Sequence, residues 1–333
     1  MESLENRKKD HIELALKSQT TPPQMDSRFH YEPMLNPHPA GGLQAFTILG
    51  KEHRVPMWVS SMTGGTKLAG TINRNLARAC HEFGMGMGLG SCRIIMDDPT
   101  YFEDFNMRPI IGDSLPLWAN LGIAQIEELL ERNKVDKAIG LVDRLKADGL
   151  IVHVNPMQEW FQPEGDILKK PPLETIKRFL DRFSMPVIVK EVGQGMGPES
   201  LRALLQLPLQ AIEFAAFGGT NFSKVELLRD EQAGRALFEP LSHVGEDAVQ
   251  MVDHVNRIVA EESTVCKELI ISGGVKNFLD GYYLVQKSSL PAVYGMASAF
   301  LEHARGSYDQ LRVFVQAQVR GLEMAYAYLS IRE

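Results

Sequence analysis

Cysteine is scarce in this chain: Cys80, Cys92 and Cys266 are the only three. They are odd in number and contain no C-x-x-C pair, which argues against a disulfide framework or a thiolate zinc site and fits a reducing cytoplasm. Long apolar runs are also missing. No stretch reaches the roughly 18 apolar residues of a membrane span, and the opening MESLENRKKDH is polar, without the apolar core of a secretory signal. Positive charge is in deficit, with 35 Lys and Arg against 42 Asp and Glu for a net charge of -7. That balance argues against nucleic acid or an anionic membrane as partner, while leaving room for a local cationic pocket around a small phosphate. Internal repeats, low-complexity tracts and an inter-domain linker are absent as well.

What is present is an ordinary globular mixture, 44% hydrophobic and 23% charged over 333 residues. Eight apolar runs have the length of strands: Met57–Ser61, Gly84–Gly88, Leu117–Leu121, Gly149–Val154, Pro186–Val192, Ala211–Ala216, Glu268–Ser272 and Ala292–Met296. Most are continuous rather than alternating, as strands covered on both faces of a parallel sheet must be. Helical spacing fills many of the gaps, at Ile72–Phe83, Glu127–Leu145, Pro198–Leu205 and Gln310–Leu329. Alternation of this kind predicts an α/β fold, and eight strands favour a closed (β/α)8 TIM barrel over an open doubly wound sheet. The expected organisation is a single domain over residues 1–333, with residues 1–50 as an N-terminal arm and residues 221–262 as an insertion after the sixth strand. Pro22–Gly42, within the arm, is rich in proline, histidine and polar residues.

The residues with chemical potential gather at the C-terminal ends of these runs, where barrels build their active sites. SSMTGGT (Ser60–Thr66) pairs glycines with hydroxyls, although a tight strand-to-helix turn would use the same residues. GMGLGSCR ends in Ser91 and Arg93, the latter a two-donor clamp for phosphate or a plain surface arginine. Asn120 of ANLG would bond a ring edge or cap a helix. HVNPMQEW sets His153 and Asn155 on one face of a strand end, with Gln158 and Glu159 following. One carboxylate among neutral donors suits Mg2+, which takes few protein ligands and several substrate oxygens. Lys190 closes the apolar run VIVK, so its charge needs a partner: Glu191, a flavin or a phosphate. Thr220 in FGGTN, Gly273 and Gly274 in SGGVKN, and Ala297 and Ser298 in GMASA complete the set. The loops after the last two strands are the usual phosphate site of a barrel. The basic run Arg7–His11 reads, on composition alone, as a solvated stretch.

Taken together and in order, RKKDHIELAL, MWVSSMTGGT, GMGLGSCR, ANLG, HVNPMQEWFQPEG, VKEVGQGMG, FGGTNF, SGGVKN and GMASAFL resemble the type 2 isopentenyl-diphosphate isomerases, from about residue 6 to the final helix. The resemblance implies FMN, Mg2+ and a reductant such as NADPH, in a reaction with no net redox change. It implies substrate contacts at Arg7, Lys8, Ser91, Arg93, His153, Asn155 and Gln158, with Gln158 the candidate catalytic group and Glu159 the Mg2+ ligand. FMN contacts are implied at Met62, Thr63, Gly64, Ser91, Asn120, Lys190, Thr220, Gly273, Gly274, Ala297 and Ser298. A homo-oligomer, tetramer or octamer, is implied too, with Arg7 and Lys8 closing over the diphosphate across a subunit boundary. The chain departs from the family pattern at Cys92, where glutamine is common, and at Ala215, where serine often stands. Two rival readings are an FMN-dependent α-hydroxyacid oxidoreductase and a non-catalytic flavin- or phosphate-binding protein.

Overall fold

A computed structural model describes residues 4–61, 64–229 and 235–332. Eight of its strands pair in parallel and in chain order, and the eighth closes on the first to form a barrel. We number them β1 (Met57–Val59), β2 (Gly86–Gly88), β3 (Leu117–Gly122), β4 (Gly149–His153), β5 (Val187–Lys190), β6 (Ala211–Glu213), β7 (Leu269–Ser272) and β8 (Ala292–Met296). Every residue of these strands is buried except His153, which is half-buried. The runs are apolar throughout because both faces are covered.

Period-two alternation divides the apolar side chains between two cores. Met57, Val59, Leu150, Val152, Ile212, Leu269 and Ile271 point outward into the core beneath the helices. Trp58, Trp118, Ile151, Ile188, Ala211, Ile270 and Val293 point inward and pack against one another. Glycine makes room for the two indoles: a Cβ on Gly86 would come 2.5 Å from the Trp58 ring, and one on Gly149 would come 2.5 Å from the Trp118 ring.

A hairpin, Phe46–Ile48 with Lys51–His53, closes the lower end. Its two-residue turn, Leu49–Gly50, has both φ angles positive, at 54° and 74°, as a tight antiparallel connection requires. Ile48 and Leu49 enter the inner core from below. The Leu49 N–H donates to the Glu268 carboxylate at 3.0 Å, just ahead of β7. Within the hairpin, His53 stacks on its cross-strand partner Phe46. A further strand, Phe29–Tyr31, pairs antiparallel with Leu329–Ile331, which follows the final helix Tyr308–Tyr328.

The sequence pattern over Glu127–Leu145 reads as one helix, whereas the structure has two, Ile123–Glu131 and Asp136–Leu145. Asn133 lies between them in the left-handed region, φ 54°, and the Lys134 N–H turns back to the Leu129 carbonyl. Asparagine tolerates that conformation, so the break costs little. Residues 221–262 contain the helix Phe222–Arg229, a 3-10 stretch Arg235–His243 and the helix Ala248–Glu261. The N-terminal helix Leu4–Ala15 buries none of its residues. Among the described residues, no helix is long and apolar enough to cross a membrane, and the three cysteines are free and buried.

Candidate active site

Two residues beyond the inward apolar layer, the same strands change character. Stepping up from Trp58, Trp118, Ile151, Ile188, Ala211 and Ile270 leads to Ser60, Asn120, His153, Lys190, Glu213 and Ser272 on the same inner face. Six strands thus bring a hydroxyl, amide, imidazole, ammonium or carboxylate to the C-terminal mouth. Part of this layer opens into a cavity of about 290 Å³, lined by Ser60, Ser61, Lys190, Glu213, Ser272 and the loops around Thr220, Gly273 and Ala297. That volume is at the small end of the range for small-molecule sites.

The cavity walls are shaped by backbone. Gly273 and Gly274 have φ angles of 90° and 72°, which L-residues with side chains rarely adopt. A Cβ on Gly273 would overlap the Ala216 backbone, and Gly219 lies against Gly273 and Gly274. The double glycines after β6 and β7 therefore pack backbone to backbone. In the same wall Ala215 holds a positive φ of 43°, with its N–H donating to Ser272 Oγ at 2.9 Å.

Burial governs the charges. It pushes the Lys190 ammonium below the ordinary lysine range, an effect that Glu213 and Glu191 oppose. It pushes the Glu213 carboxyl above the ordinary range, against the nearby Lys190 charge. His153 is driven down to about 3, first by burial and then by the Lys190 charge, and so is neutral at pH 7. Its Nδ1 lies 2.9 Å from Asn120 Oδ1, and the Asn120 amide donates to the Leu89 carbonyl at 3.0 Å. Ser61 Oγ, buried at the cavity, has no hydrogen-bond partner within the protein, while Ser60, Ser272 and Trp58 bond the buried Glu213 carboxyl. An unpartnered polar atom is costly unless a ligand or water satisfies it.

A second cluster stands beside the mouth, on the short helix Pro156–Phe161 that follows β4. Asn155 donates through Nδ2 to Gln158 Oε1 at 3.0 Å and to Glu159 Oε1 at 2.9 Å. Gln158 donates to Glu226 Oε1 at 3.0 Å. The other Glu226 oxygen takes Arg229 at 2.6 Å. Glu159 Oε2 accepts the Asp166 N–H at 2.8 Å, and the Asp166 side chain holds Arg93 at 3.0 Å. Among the described residues, no group of three or more His, Cys, Asp or Glu side chains is placed to hold a metal. A lone carboxylate, Glu159, fits only a cation carried mainly by substrate oxygens and water.

The structure brings Lys190, Thr220, Gly273, Gly274, Ala297 and Ser298 around one cavity. Asn120 and His153 connect to it through the β4–β5 pairing of His153 with Lys190. Asn155, Gln158 and Glu159 form the adjacent cluster. Ser91 and Arg93 are exposed. Gly64 is wedged against the Phe105 ring, where a Cβ would overlap it. Arg7 and Lys8 lie on the exposed N-terminal helix, away from the cavity lining. Met62 and Thr63 fall outside the described residues. Sequence reasoning missed two carboxylates. Glu213 is fully buried, and its signal was an acidic residue inside the apolar run AIEFAA. Glu226 is 3% exposed on the helix Phe222–Arg229, in the stretch that the sequence reads only as an insertion.

The geometry defines a (β/α)8-barrel enzyme architecture with a small-molecule site at the C-terminal mouth. Solved structures of the same fold include a flavocytochrome b2 variant with benzoylformate, at TM-score 0.64 and 15% identity over 91% of this chain and 75% of that one. A mandelate oxidase variant with a monooxide FMN adduct aligns at TM-score 0.56 and 14% identity, covering 92% and 88%. No family model matches the chain. Sequence relatives are informative. An isopentenyl-diphosphate delta-isomerase of Rickettsia felis is 34% identical over 84% of this chain and 78% of the relative. Proteins of the same name are 35% identical in a Nostoc species, over 78% and 71%, and 32% identical in Rickettsia rickettsii, over 96% and 91%. The chain belongs to the isopentenyl-diphosphate delta-isomerase family.

Proposed function

We propose that this protein is an isomerase that interconverts isopentenyl diphosphate and dimethylallyl diphosphate, with FMN in the cavity above β5–β8 and Mg2+ on the diphosphate. The observation that carries the reading is the match to enzymes of that name along nearly the whole chain, 96% of it in one case. The polar inner layer supports it independently. The unpartnered Ser61 hydroxyl, the buried Lys190 and Glu213 side chains and the backbone-walled glycine loops suit a flat, polar-edged ring with a phosphate tail.

In this reading Gly273, Gly274, Ala297 and Ser298 take the FMN phosphate and Lys190, Asn120 and Thr220 face its ring, with Met62, Thr63, Gly64 and Ser91 completing the contacts. FMN in its reduced form, kept so by NADPH, supplies the hydrogen chemistry that an unactivated alkene demands and no side chain here provides. The protein's own share is placement and charge. His153 and Asn155 meet the substrate as neutral groups, with His153 Nε2 and Asn155 Oδ1 as acceptors. Arg93 exchanges Asp166 for a phosphate oxygen, and Glu159 holds Mg2+ against the diphosphate. Arg7 and Lys8 reach the same tail from a neighbouring copy in a cytoplasmic homo-oligomer. Gln158 orients the reacting carbon. A neutral amide is a poor base, and the carboxylate behind it, Glu226, fixes its orientation by accepting the Gln158 N–H.

The test is product analysis after incubation with isopentenyl diphosphate, FMN, NADPH and Mg2+. Dimethylallyl diphosphate should form without stoichiometric consumption of NADPH. Absence of that product, with flavin bleached by an α-hydroxyacid instead, would replace this reading with an oxidoreductase.

A further inference from the structure

Lys190 and Glu213 are cross-strand partners, in register on β5 and β6, and both face the cavity. Each is almost or completely sealed from solvent, at 6% and 0% exposure. The Lys190 ammonium donates to the neutral Glu191 carbonyl at 2.7 Å. The nearest carboxylate in sequence, Glu191, is engaged elsewhere: one oxygen accepts the N–H groups of Gly193, Gln194 and Gly195 at 2.7, 2.6 and 3.0 Å. Glu213 takes the Ser272 hydroxyl on Oε1 at 3.3 Å and is also bonded by the Ser60 and Trp58 side chains, all neutral groups. The other groups facing this pair are the neutral His153 on β4, Ser60 after β1, and Lys276 and Glu302 at the cavity rim. A buried charge persists only where a counter-charge compensates it. Glu213 and Glu191 both act on the ammonium, Glu213 the more strongly, and Glu213 is the one in cross-strand register with Lys190 on the inner face.

We infer that Glu213 is a positioning residue that keeps the Lys190 ammonium charged and aimed into the cavity, and thereby sets the upper pH limit for flavin binding. The inference rests on the reading of that cavity as an FMN site. Replacing Glu213 with a neutral group leaves a lysine that has lost its stronger counter-charge and releases its proton at lower pH. Flavin affinity should then collapse earlier on the alkaline side while remaining near normal at neutral pH.

The experiment is the FMN dissociation constant, read from quenching of flavin fluorescence, from neutral to alkaline pH. Wild type, Glu213→Gln, Glu213→Asp and Lys190→Met are compared, each checked for folding by thermal melting. The alkaline limit should move down by at least about one pH unit in Glu213→Gln. It should move less in Glu213→Asp, which keeps the charge one methylene further away, and Lys190→Met should bind weakly with no such limit. An unmoved limit in Glu213→Gln, or an equal loss of affinity at every pH, overturns the inference. If Glu213→Gln does not fold, the limit of Glu213→Asp decides: a shift supports the inference and an unmoved limit overturns it. Wild type that binds no FMN overturns the site reading first, and this shows before any variant is compared.

Discussion

The lower and upper halves of the barrel interior are built from the same strands, two residues apart, and differ in every physical respect. Below, Trp58, Trp118, Ile151, Ile188, Ile270 and Val293 interlock, and the hairpin inserts Ile48 and Leu49 as a stopper. Above, the same strands carry Ser60, Asn120, His153, Lys190 and Ser272, with Glu213 beside them, and the chain wall is made of glycine. The lower half is close-packed and contributes stability. The upper half buries charge and an unsatisfied hydroxyl, which cost stability and create a site for a polar ligand. One pleat repeat along a strand separates the two tasks.

Mutations on either side should break that division in opposite ways, and the largest effect belongs to the lower half. Trp58→Ala removes a fully buried indole from the inner core and should cost about 3–5 kcal/mol in denaturant unfolding. Next comes Gly273→Val above, where the side chain would meet the Ala216 backbone at a φ of 90°. FMN retention on gel filtration should fall about 100-fold, near 2.7 kcal/mol, in the folded fraction, and the melting temperature should fall with it. Glu159→Gln should raise the Mg2+ needed for half-maximal turnover by about tenfold, since a neutral ligand attracts the cation less. FMN affinity should be unchanged.

The smallest effect concerns pH. His53 below and His153 above are both held down by burial, to about 4 and about 3. Unfolded histidine binds its proton near pH 6.5. Between that value and the folded ones the unfolded chain binds more protons, so both residues favour the folded state above about pH 6.5 and lose that contribution as pH falls. His53→Phe should flatten part of the acid decline in melting temperature and leave turnover unaltered. Loss of turnover in that variant would show that the lower half reaches into the chemistry.

Much of the fold could be read from the letters because strands covered on both faces are written as unbroken apolar runs. Lys190 was visible for the same reason, as a charge ending such a run. The hairpin stopper was not, because its three-residue strands include Lys51, Glu52 and His53, and its burial comes from the barrel end it fills. Glu213 stood in plain view in an apolar run, but its partnership with Lys190 depends on inter-strand register, which composition does not encode. Glu226 was hidden for a similar reason. The helix Phe222–Arg229 is amphipathic only weakly, and packing against Pro156–Phe161 is what buries the carboxylate. The glycine pairs were legible as motifs, whereas their backbone-to-backbone contact was not.

The most direct measurement is label incorporation in deuterated water, on protein stripped of flavin and then restored with reduced FMN. Isopentenyl diphosphate should be inert with the stripped protein, and with FMN restored it should yield dimethylallyl diphosphate carrying solvent deuterium. Full conversion by the stripped protein would contradict the assignment of the upper barrel mouth as a flavin site serving the isomerisation.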